Sequence, residues 1–167
     1  FVASPVLAQE TEFLTFGTSD IGGVWFAEGA ALATQWNAEI PEIQITTDTR
    51  GGGTGNAQWM ATGKVDLAIN NTPGINAAMQ GSGFFKEQGK LDFSNVRSLA
   101  ALHKSYLTIV VRDDSDMDYA TDIKGKRIAV GQPGNSIQTI LPALTKVWGW
   151  DQEELQQEFI ADYDAFD

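Results

Sequence analysis

The stretch Phe13-Leu-Thr-Phe-Gly-Thr-Ser-Asp-Ile-Gly-Gly-Val-Trp25 decides the fold, because it passes from a strand through a glycine-rich turn into a helix. Its apolar start, Phe13–Phe16, predicts a strand that ends at Gly17. Val24–Asn37 then predicts an amphipathic helix, since a period of about 3.6 residues aligns its apolar and small side chains on one face. That face consists of Trp25, Gly29, Leu32, Ala33 and Trp36.

The rest of the chain continues this alternation of strands and helices, which predicts an α/β fold with a mostly parallel sheet. Further strands are predicted at Ile43–Thr47, Val65–Asn70, Val96–Leu102, Leu107–Val111 and Arg127–Val130. Helices are predicted around Asn56–Thr62, near Ile75–Gln80 and from Ser136 onward. The last has an apolar face of Ile137, Ile140, Leu141, Leu144 and Val147, and Pro142 is expected to kink it or delay its start. No strand is predicted in the acidic stretch Asp151–Asp167.

Composition excludes several classes of function. The 167 residues include 22 acidic and 11 basic side chains, a net charge of −11, and no basic cluster of the kind that binds nucleic acid. There is no cysteine, and His103 is the only histidine, so neither a thiolate nor a histidine metal site is expected. The run Asp114, Asp116 and Asp118 lacks the glycine and glutamate of a calcium loop and reads as a solvated connector. No catalytic constellation or cofactor motif is found, so an enzyme is not expected.

Three glycine-rich turns carry the prediction of a binding site. We call them the first (Gly17–Gly23), second (Gly51–Gly55) and third (Gly131–Ser136) glycine turn. Each follows a predicted strand and leads into a helix, and ligands of open α/β sheets lie at such carboxyl ends of strands. Helix N-termini offer unpaired N–H groups to anions. The turns also carry hydroxyl groups, on Thr18, Ser19, Thr54 and Ser136.

Arg50 directly precedes the second glycine turn, and two interpretations remain open. It either clamps a ligand carboxylate with two parallel hydrogen bonds or pairs with Asp48 at the surface.

The first ten residues are typical of the end of a signal peptide. An apolar run is followed by Val6 and Ala8 at the positions that precede a cleavage site, and then by polar residues. Cleavage after Ala8 and export to the periplasm are therefore expected.

The sequence resembles the substrate-binding receptors of the TAXI class of TRAP (tripartite ATP-independent periplasmic) transporters. The resemblance covers almost the whole chain after Glu10. Its segments are Phe16–Trp25, Arg50–Asn56, Gly63–Asn70, Val110–Ser115 and Ile123–Ser136.

This resemblance implies a type II periplasmic binding fold, in which two α/β lobes close over a ligand in a central cleft. The first lobe would span residues 11–105, and residues 106–167 would form a hinge strand and an incomplete second lobe, so the chain is expected to continue beyond Asp167. The implied ligand is a small organic anion such as glutamate or 2-oxoglutarate, and the implied partners are the integral-membrane TRAP subunits. A monomer without cofactor or metal is expected.

Site residues follow from the matching segments. With Arg50, they are Thr18, Ser19, Gly23, Val24, Trp25, Gly52, Gly53, Thr54, Asn70, Asn71, Tyr106, Pro133, Gly134, Asn135 and Ser136. Trp25 and Tyr106 would pack on the apolar part of the ligand. Three alternatives remain: the receptor of an ATP-driven importer, an enzyme on the same fold, and a sensory domain.

Overall fold

The structure, a computed structural model, describes residues 10–160 and 164–166. The signal-peptide prediction therefore falls almost entirely outside the described residues. A three-stranded parallel sheet with the order β2-β1-β3 organises the first part of the chain. Strand β1 (Glu12–Gly17) pairs along its whole length with β2 (Ile43–Asp48). Strand β3 (Leu67–Ala68) is shorter than predicted and pairs only with the last two residues of β1.

Helix α1 (Val24–Glu39) packs against this sheet with the face that its sequence predicts. Gly29 and Ala33 are buried, and the apolar side chains of that face pack against a cluster of Phe16, Ala33, Ile45 and Ile69. The small residues matter here, because a Cβ at Gly29 would overlap the Thr18 side chain. Close approach of α1 to the end of β1 therefore requires glycine.

Helix α2 (Gly52–Thr62) begins inside the stretch that was predicted as a loop, so that prediction is wrong. Glycine is a poor helix former, but the first-turn N–H groups of α2 find acceptors outside the helix. Gly52 N donates to Thr18 O at 3.1 Å, and Thr54 N donates to Gly134 O at 3.0 Å. These tertiary bonds stabilise a helical turn that local propensity does not favour.

Helix α3 (Thr72–Gln80) starts earlier than predicted because Asn71 caps it. The Asn71 side chain accepts a hydrogen bond from Gly74 N at 2.7 Å, and the left-handed Gly81 ends the helix. Helices α2 and α3 meet through small residues over the 3₁₀ turn Gly83–Phe85. Their buried cluster consists of Ala57, Ala77, Ala78 and Phe85.

The strands predicted at Val96–Leu102 and Leu107–Val111 are not formed. Within the described residues neither run pairs with a strand, and Leu99, Tyr106 and Val110 are largely exposed. High β-propensity does not make a strand where no neighbour accepts its backbone hydrogen bonds. The prediction of a hinge strand near Tyr106 is therefore not met in this structure.

A second sheet of two parallel strands follows the 3₁₀ turn Ala120–Ile123. Strand β4 (Arg127–Ala129) pairs with β5 (Gln156–Glu158), and the 3₁₀ turn Gln152–Glu154 leads into β5. The prediction that no strand follows Asp151 is thus wrong. Strand β5 is three polar residues held by backbone pairing, so it carries no apolar signal in the sequence. A last 3₁₀ turn spans Asp164–Phe166.

Helix α4 (Ile137–Val147) runs between the two strands of this sheet and continues through Pro142. Leu141 is buried in a cluster with Ile123, Val130, Trp150 and Leu155, and Ile137 packs against it. Val147 was predicted on the same face but is 82% exposed, because the helix ends there and the chain turns away at Gly149.

Helix α4 also packs beside α3 and the Gly83–Phe85 turn, which brings the two sheets together. None of the helices described is long and apolar enough to cross a membrane.

Candidate functional site

A cleft of about 170 Å³ lies where the three glycine turns meet. Its walls come from the start of α1, the start of α2 and the turn that precedes α4. The lining residues are Ser19, Asp20, Gly23, Val24, Trp25, Arg50, Gly51, Gly52, Gly53, Pro133, Gly134, Asn135 and Ser136. Parallel pairing of β1 with β2 puts the first two turns at one edge of the sheet, as predicted.

Most predicted site residues are brought together in this cleft, although their contact with a ligand stays a prediction. Those that line it are Ser19, Gly23, Val24, Trp25, Arg50, Gly52, Gly53, Pro133, Gly134, Asn135 and Ser136.

The wall formed by α1 combines a polar cap with an apolar surface. Ser19 Oγ accepts a hydrogen bond from Phe26 N in the first helical turn at 3.2 Å. A Cβ at Gly23 would lie 2.6 Å from Ser19 Oγ, so the cap depends on glycine there. Val24 is 64% exposed at the cleft, whereas Trp25 is half-buried and also packs on the core under β1. The cleft therefore offers an apolar surface beside the positive end of a helix dipole.

The wall formed by α2 is almost bare backbone. Gly51 and Gly53 are buried, and Gly52 has a φ of +55°. A side chain at Gly51 would overlap Asn56, and one at Gly53 would overlap Ser136 Oγ. Glycines at these positions let the opposite wall come close to the helix N-terminus.

The third glycine turn forms the opposite wall and is fixed by its own side chains. Asn135 Oδ1 accepts from Ile137 N at 3.1 Å, and Gln138 Oε1 accepts from Gly134 N at 3.2 Å. Gly131 and Gly134 both have positive φ, at +69° and +100°. The Asn135 side chain thus holds the first residue of α4, Ile137, although Asn135 was predicted as a site residue from its match to a family segment.

Arg50 forms an ion pair with Asp48, which is the second of the two interpretations given for it from the sequence. Its Nε donates to Asp48 Oδ1 at 3.0 Å and its Nη2 to Oδ2 at 2.6 Å. These hydrogen bonds hold the pKa of the Asp48 carboxyl below its ordinary value. The Arg50 side chain is 76% exposed and still lines the cleft, so the pair sits at its rim.

Some predicted site residues lie outside the cleft. Thr18 is fully buried and its hydroxyl donates to Asp48 O at 3.2 Å. Thr54 is also fully buried. Asn70 Nδ2 donates to Gly53 O at 2.8 Å, and Asn71 caps α3. Thr18, Thr54 and Asn70 thus support the cleft walls from behind, whereas Asn71 caps a helix that is not part of them.

Tyr106 neither lines the cleft nor supports its walls. It is 82% exposed and does not line the cleft, because the segment that carries it is not paired into a sheet.

Three residues at the site were not predicted from the sequence. Asp20 and Gly51 line the cleft, but only hydroxyl groups and other positions of the family segments were predicted there. Asn56 is fully buried behind the glycines, and its Nδ2 donates to Thr18 O and Ile69 O, both at 2.9 Å. It thus ties together the chain ends that leave β1 and β3. The sequence did contain a signal for Asn56, namely a polar side chain about one turn after the start of a glycine-rich helix.

The remaining polar residues that the sequence singled out lie elsewhere. His103 Nδ1 contacts Glu28 Oε1 at 2.8 Å. Asp114 pairs with Arg112, and Asp116 with Lys126. Over residues 10–160 and 164–166, no group of three acidic or histidine side chains is arranged to hold a metal ion.

Comparison with protein families adds one finding. The model of the NMT1-like family matches residues 16–166, which include all three glycine turns and all strands except the start of β1.

Proposed function

Because the chain belongs to the NMT1-like family, which is periplasmic binding-protein-like, its general role is substrate binding, and we propose a specific form of that role. The protein is an extracytoplasmic receptor that binds a small organic anion in the cleft and delivers it to a TRAP-type membrane transporter. The observation that carries this proposal is the convergence of two helix starts and the third glycine turn on one cleft of about 170 Å³.

The size and lining of the cleft favour a small, partly apolar ligand. A volume of 170 Å³ is below the usual range of roughly 300–1,000 Å³ for drug-sized ligands. Val24 and Trp25 supply an apolar surface, and the start of α1 supplies backbone donors, whereas Gly52 N and Thr54 N of α2 are already bonded to Thr18 O and Gly134 O. A short carboxylate uses both: its oxygens accept from N–H groups, and its carbon chain packs on the side chains.

The charges at the cleft favour a ligand that carries little net negative charge. Arg50 is already balanced by Asp48, and Asp20 adds a carboxylate to the lining. Guanidinium has five N–H donors, so Arg50 can share the remaining ones with a ligand while it keeps Asp48. Stabilisation of an anion then rests mainly on helix N–H groups, and a second ligand carboxylate would be repelled by Asp20. Glutamate and 2-oxoglutarate each carry two carboxylates, but the ammonium group of glutamate offsets one of these charges, so we expect glutamate to bind more tightly.

The transporter partner and the periplasmic location are proposed from the TAXI resemblance and the signal-like N-terminus. The receptor of an ATP-driven importer is the second candidate, since it performs the same binding. The neighbouring genes separate the two, because a TRAP receptor is encoded beside integral-membrane TRAP subunits and an importer receptor beside an ATPase.

An enzyme on this fold is the remaining alternative. It would need a nucleophile with an adjacent base. The hydroxyls of the lining belong to Ser19 and Ser136, and His103 pairs with Glu28 rather than with either. A turnover screen with carboxylates tests this alternative, and product formation would support it.

Native mass spectrometry followed by calorimetry tests the binding role. We expect the purified protein to carry or take up a small carboxylate with a Kd near 1 μM, which corresponds to about −8 kcal/mol. Binding of sugars or cations alone would contradict the proposed ligand class.

Arg50 offers a sharper test with a matched control. Arg50→Ala is expected to weaken carboxylate binding about tenfold or more, and Arg50→Lys to recover only part of it, because lysine lacks the planar fork. Arg112→Ala is the control, since Arg112 makes the same kind of exposed pair with Asp114 outside the cleft. Equal carboxylate affinity in Arg50→Ala and Arg112→Ala would mean that Arg50 only pairs with Asp48 and does not contact the ligand.

A further inference from the structure

The wall of the cleft that precedes α4 is bonded directly to the wall formed by α2. Gly134 O accepts two hydrogen bonds from Thr54, one from its backbone N–H at 3.0 Å and one from its hydroxyl at 2.6 Å. The two residues are 80 positions apart in the chain. The Gly134 carbonyl, from the turn before α4, thus occupies two donors of Thr54 in the first turn of α2.

The shape of both walls fits this contact. Thr54 is fully buried, so its hydrogen bonds are shielded from water. A Cβ at Gly52 would lie 3.0 Å from Gly134 O, and one at Gly53 would overlap Ser136 Oγ. Gly134 itself has a φ of +100°, a conformation that other residues rarely adopt. Glycine at three positions lets the two backbones touch.

We propose that the third glycine turn is a latch, in which the Gly134 carbonyl on Thr54 holds the two walls of the cleft together. The bonds that close the cleft are made by the protein's own atoms. Release of this carbonyl frees the Thr54 N–H and hydroxyl and separates the walls, so the latch sets how often the cleft opens. Thr54 is therefore a positioning residue that controls access, in contrast to its predicted role as a ligand contact.

Amide hydrogen exchange followed by NMR tests the latch, because the residue 54 N–H exchanges only when its bond to Gly134 O opens. Thr54→Val keeps this N–H and the side-chain shape but removes the hydroxyl bond. A neutral hydrogen bond contributes about 1 kcal/mol, so we expect the residue 54 amide to exchange about fivefold faster. The amides of the β1–β2 ladder are expected to keep their wild-type rates, and Thr54→Ser to restore slow exchange at residue 54.

Thr145→Val is the matched control, since Thr145 is also buried and its hydroxyl bonds only within α4, to Pro142 O at 3.3 Å. It should leave the residue 54 amide unchanged. An unchanged residue 54 amide in folded Thr54→Val would overturn the latch. So would an equal acceleration of residue 54 and the β1–β2 ladder, because that pattern reports a purely structural role.

A distance measurement separates opening of the walls from local fraying. The chain has no cysteine, so spin labels can be attached at Thr34→Cys on α1 and Lys146→Cys on α4, both exposed. We expect longer distances to be populated in Thr54→Val than in Thr145→Val. Identical distance distributions in the two variants would show that Gly134 does not hold the walls together. Neither readout uses a ligand, so failure of the latch leaves the proposed receptor function open to its own test.

Discussion

The three-stranded region (residues 12–93) and the two-stranded region (residues 120–158) solve the same packing problem with different side chains. In the first, six-residue strands β1 and β2 pair fully, and the helices come close through Gly29, Ala57 and Ala78. In the second, β4 and β5 pair over three residues only, and Leu141 belongs to a cluster of five large apolar side chains. The first region thus has large side chains such as Phe16 and Ile45 under its sheet and small ones where α2 meets α3, whereas the second region relies on large side chains around its short strands.

Truncation of Phe85, the largest buried side chain in the cluster between α2 and α3, tests the packing of the three-stranded region. Phe85 is fully buried among alanines that cannot refill its volume. We expect Phe85→Ala to lower the free energy of unfolding by about 3–5 kcal/mol. Urea denaturation measures the loss. Phe84→Ala is the control, because Phe84 is 41% exposed, and an equal loss in both variants would contradict the packing described for Phe85.

The large-residue core is tested by Leu141→Ala. Leu141 is 2% exposed at the centre of its cluster, and its truncation should cost about 3 kcal/mol. Val147→Ala, at the exposed end of the same helix, should change stability by less than about 0.5 kcal/mol. Unfolding curves followed by tryptophan fluorescence and by circular dichroism should coincide if the two regions unfold together. Separate transitions for the two probes in Leu141→Ala would mean that the regions are independent.

Asn56 adds buried hydrogen bonds to the three-stranded region, where α2 and α3 pack through small residues. Its amide bridges two buried carbonyls, Thr18 O and Ile69 O. Asn56→Ala leaves both without this donor, and we expect a loss of about 2 kcal/mol in the free energy of unfolding. Asn76→Ala, at an exposed position on α3, is the control. If both variants unfold at the same denaturant concentration, Asn56 does not join β1 to β3.

The smallest effect is expected at the rim of the cleft and depends on pH. Hydrogen bonds from Arg50 lower the pKa of Asp48, so the folded state binds this proton more weakly than the unfolded state does. The pair therefore stabilises the fold above the unfolded pKa of about 3.9, and this contribution is lost as the pH falls through the lower folded value.

Thermal unfolding of the wild type and of Arg50→Ala at pH 7 and at pH 3 measures this contribution. The difference in stability should be present at pH 7 and shrink at pH 3. Arg112→Ala should show a weaker dependence, because Asp114 is 69% exposed and Asp48 only 13%. A difference for Arg50→Ala that is the same at both pH values would show that Asp48 is not its partner in solution.

Much of the three-stranded region could be predicted from the sequence, because its elements carry periodic patterns. The face of α1 around Ala33 and the strands β1 and β2 match their predictions closely. The start of α2 could not be predicted, since Gly52–Thr54 is helical only through acceptors supplied by residues distant in sequence. Strand β5 was not predicted for a related reason, because its polar residues pair with β4 through the backbone alone.

The site was predicted through the same turns, and the errors have a single physical origin. A glycine turn indicates where the chain bends toward the cleft, but it does not tell which side chains point into it. Thr18 and Thr54 were selected for their hydroxyls, yet both are turned inward and bonded to carbonyls. Asp20, two positions after Thr18, lines the cleft instead. The direction of a side chain depends on its neighbours in space, which a single turn sequence does not contain.

The run Leu107-Thr-Ile-Val-Val111, which is exposed except for the partly buried Ile109, has a consequence for the behaviour of the protein in solution. No backbone group of this run is hydrogen-bonded within the described residues, and Val110 is 66% exposed. Five uncharged residues of high β-propensity with free edges form a template for intermolecular cross-β stacking. What opposes such self-association is repulsion between chains of net charge −11. That repulsion vanishes as the pH approaches the isoelectric point near 4.3, so acidification should bring precipitation well before it brings unfolding.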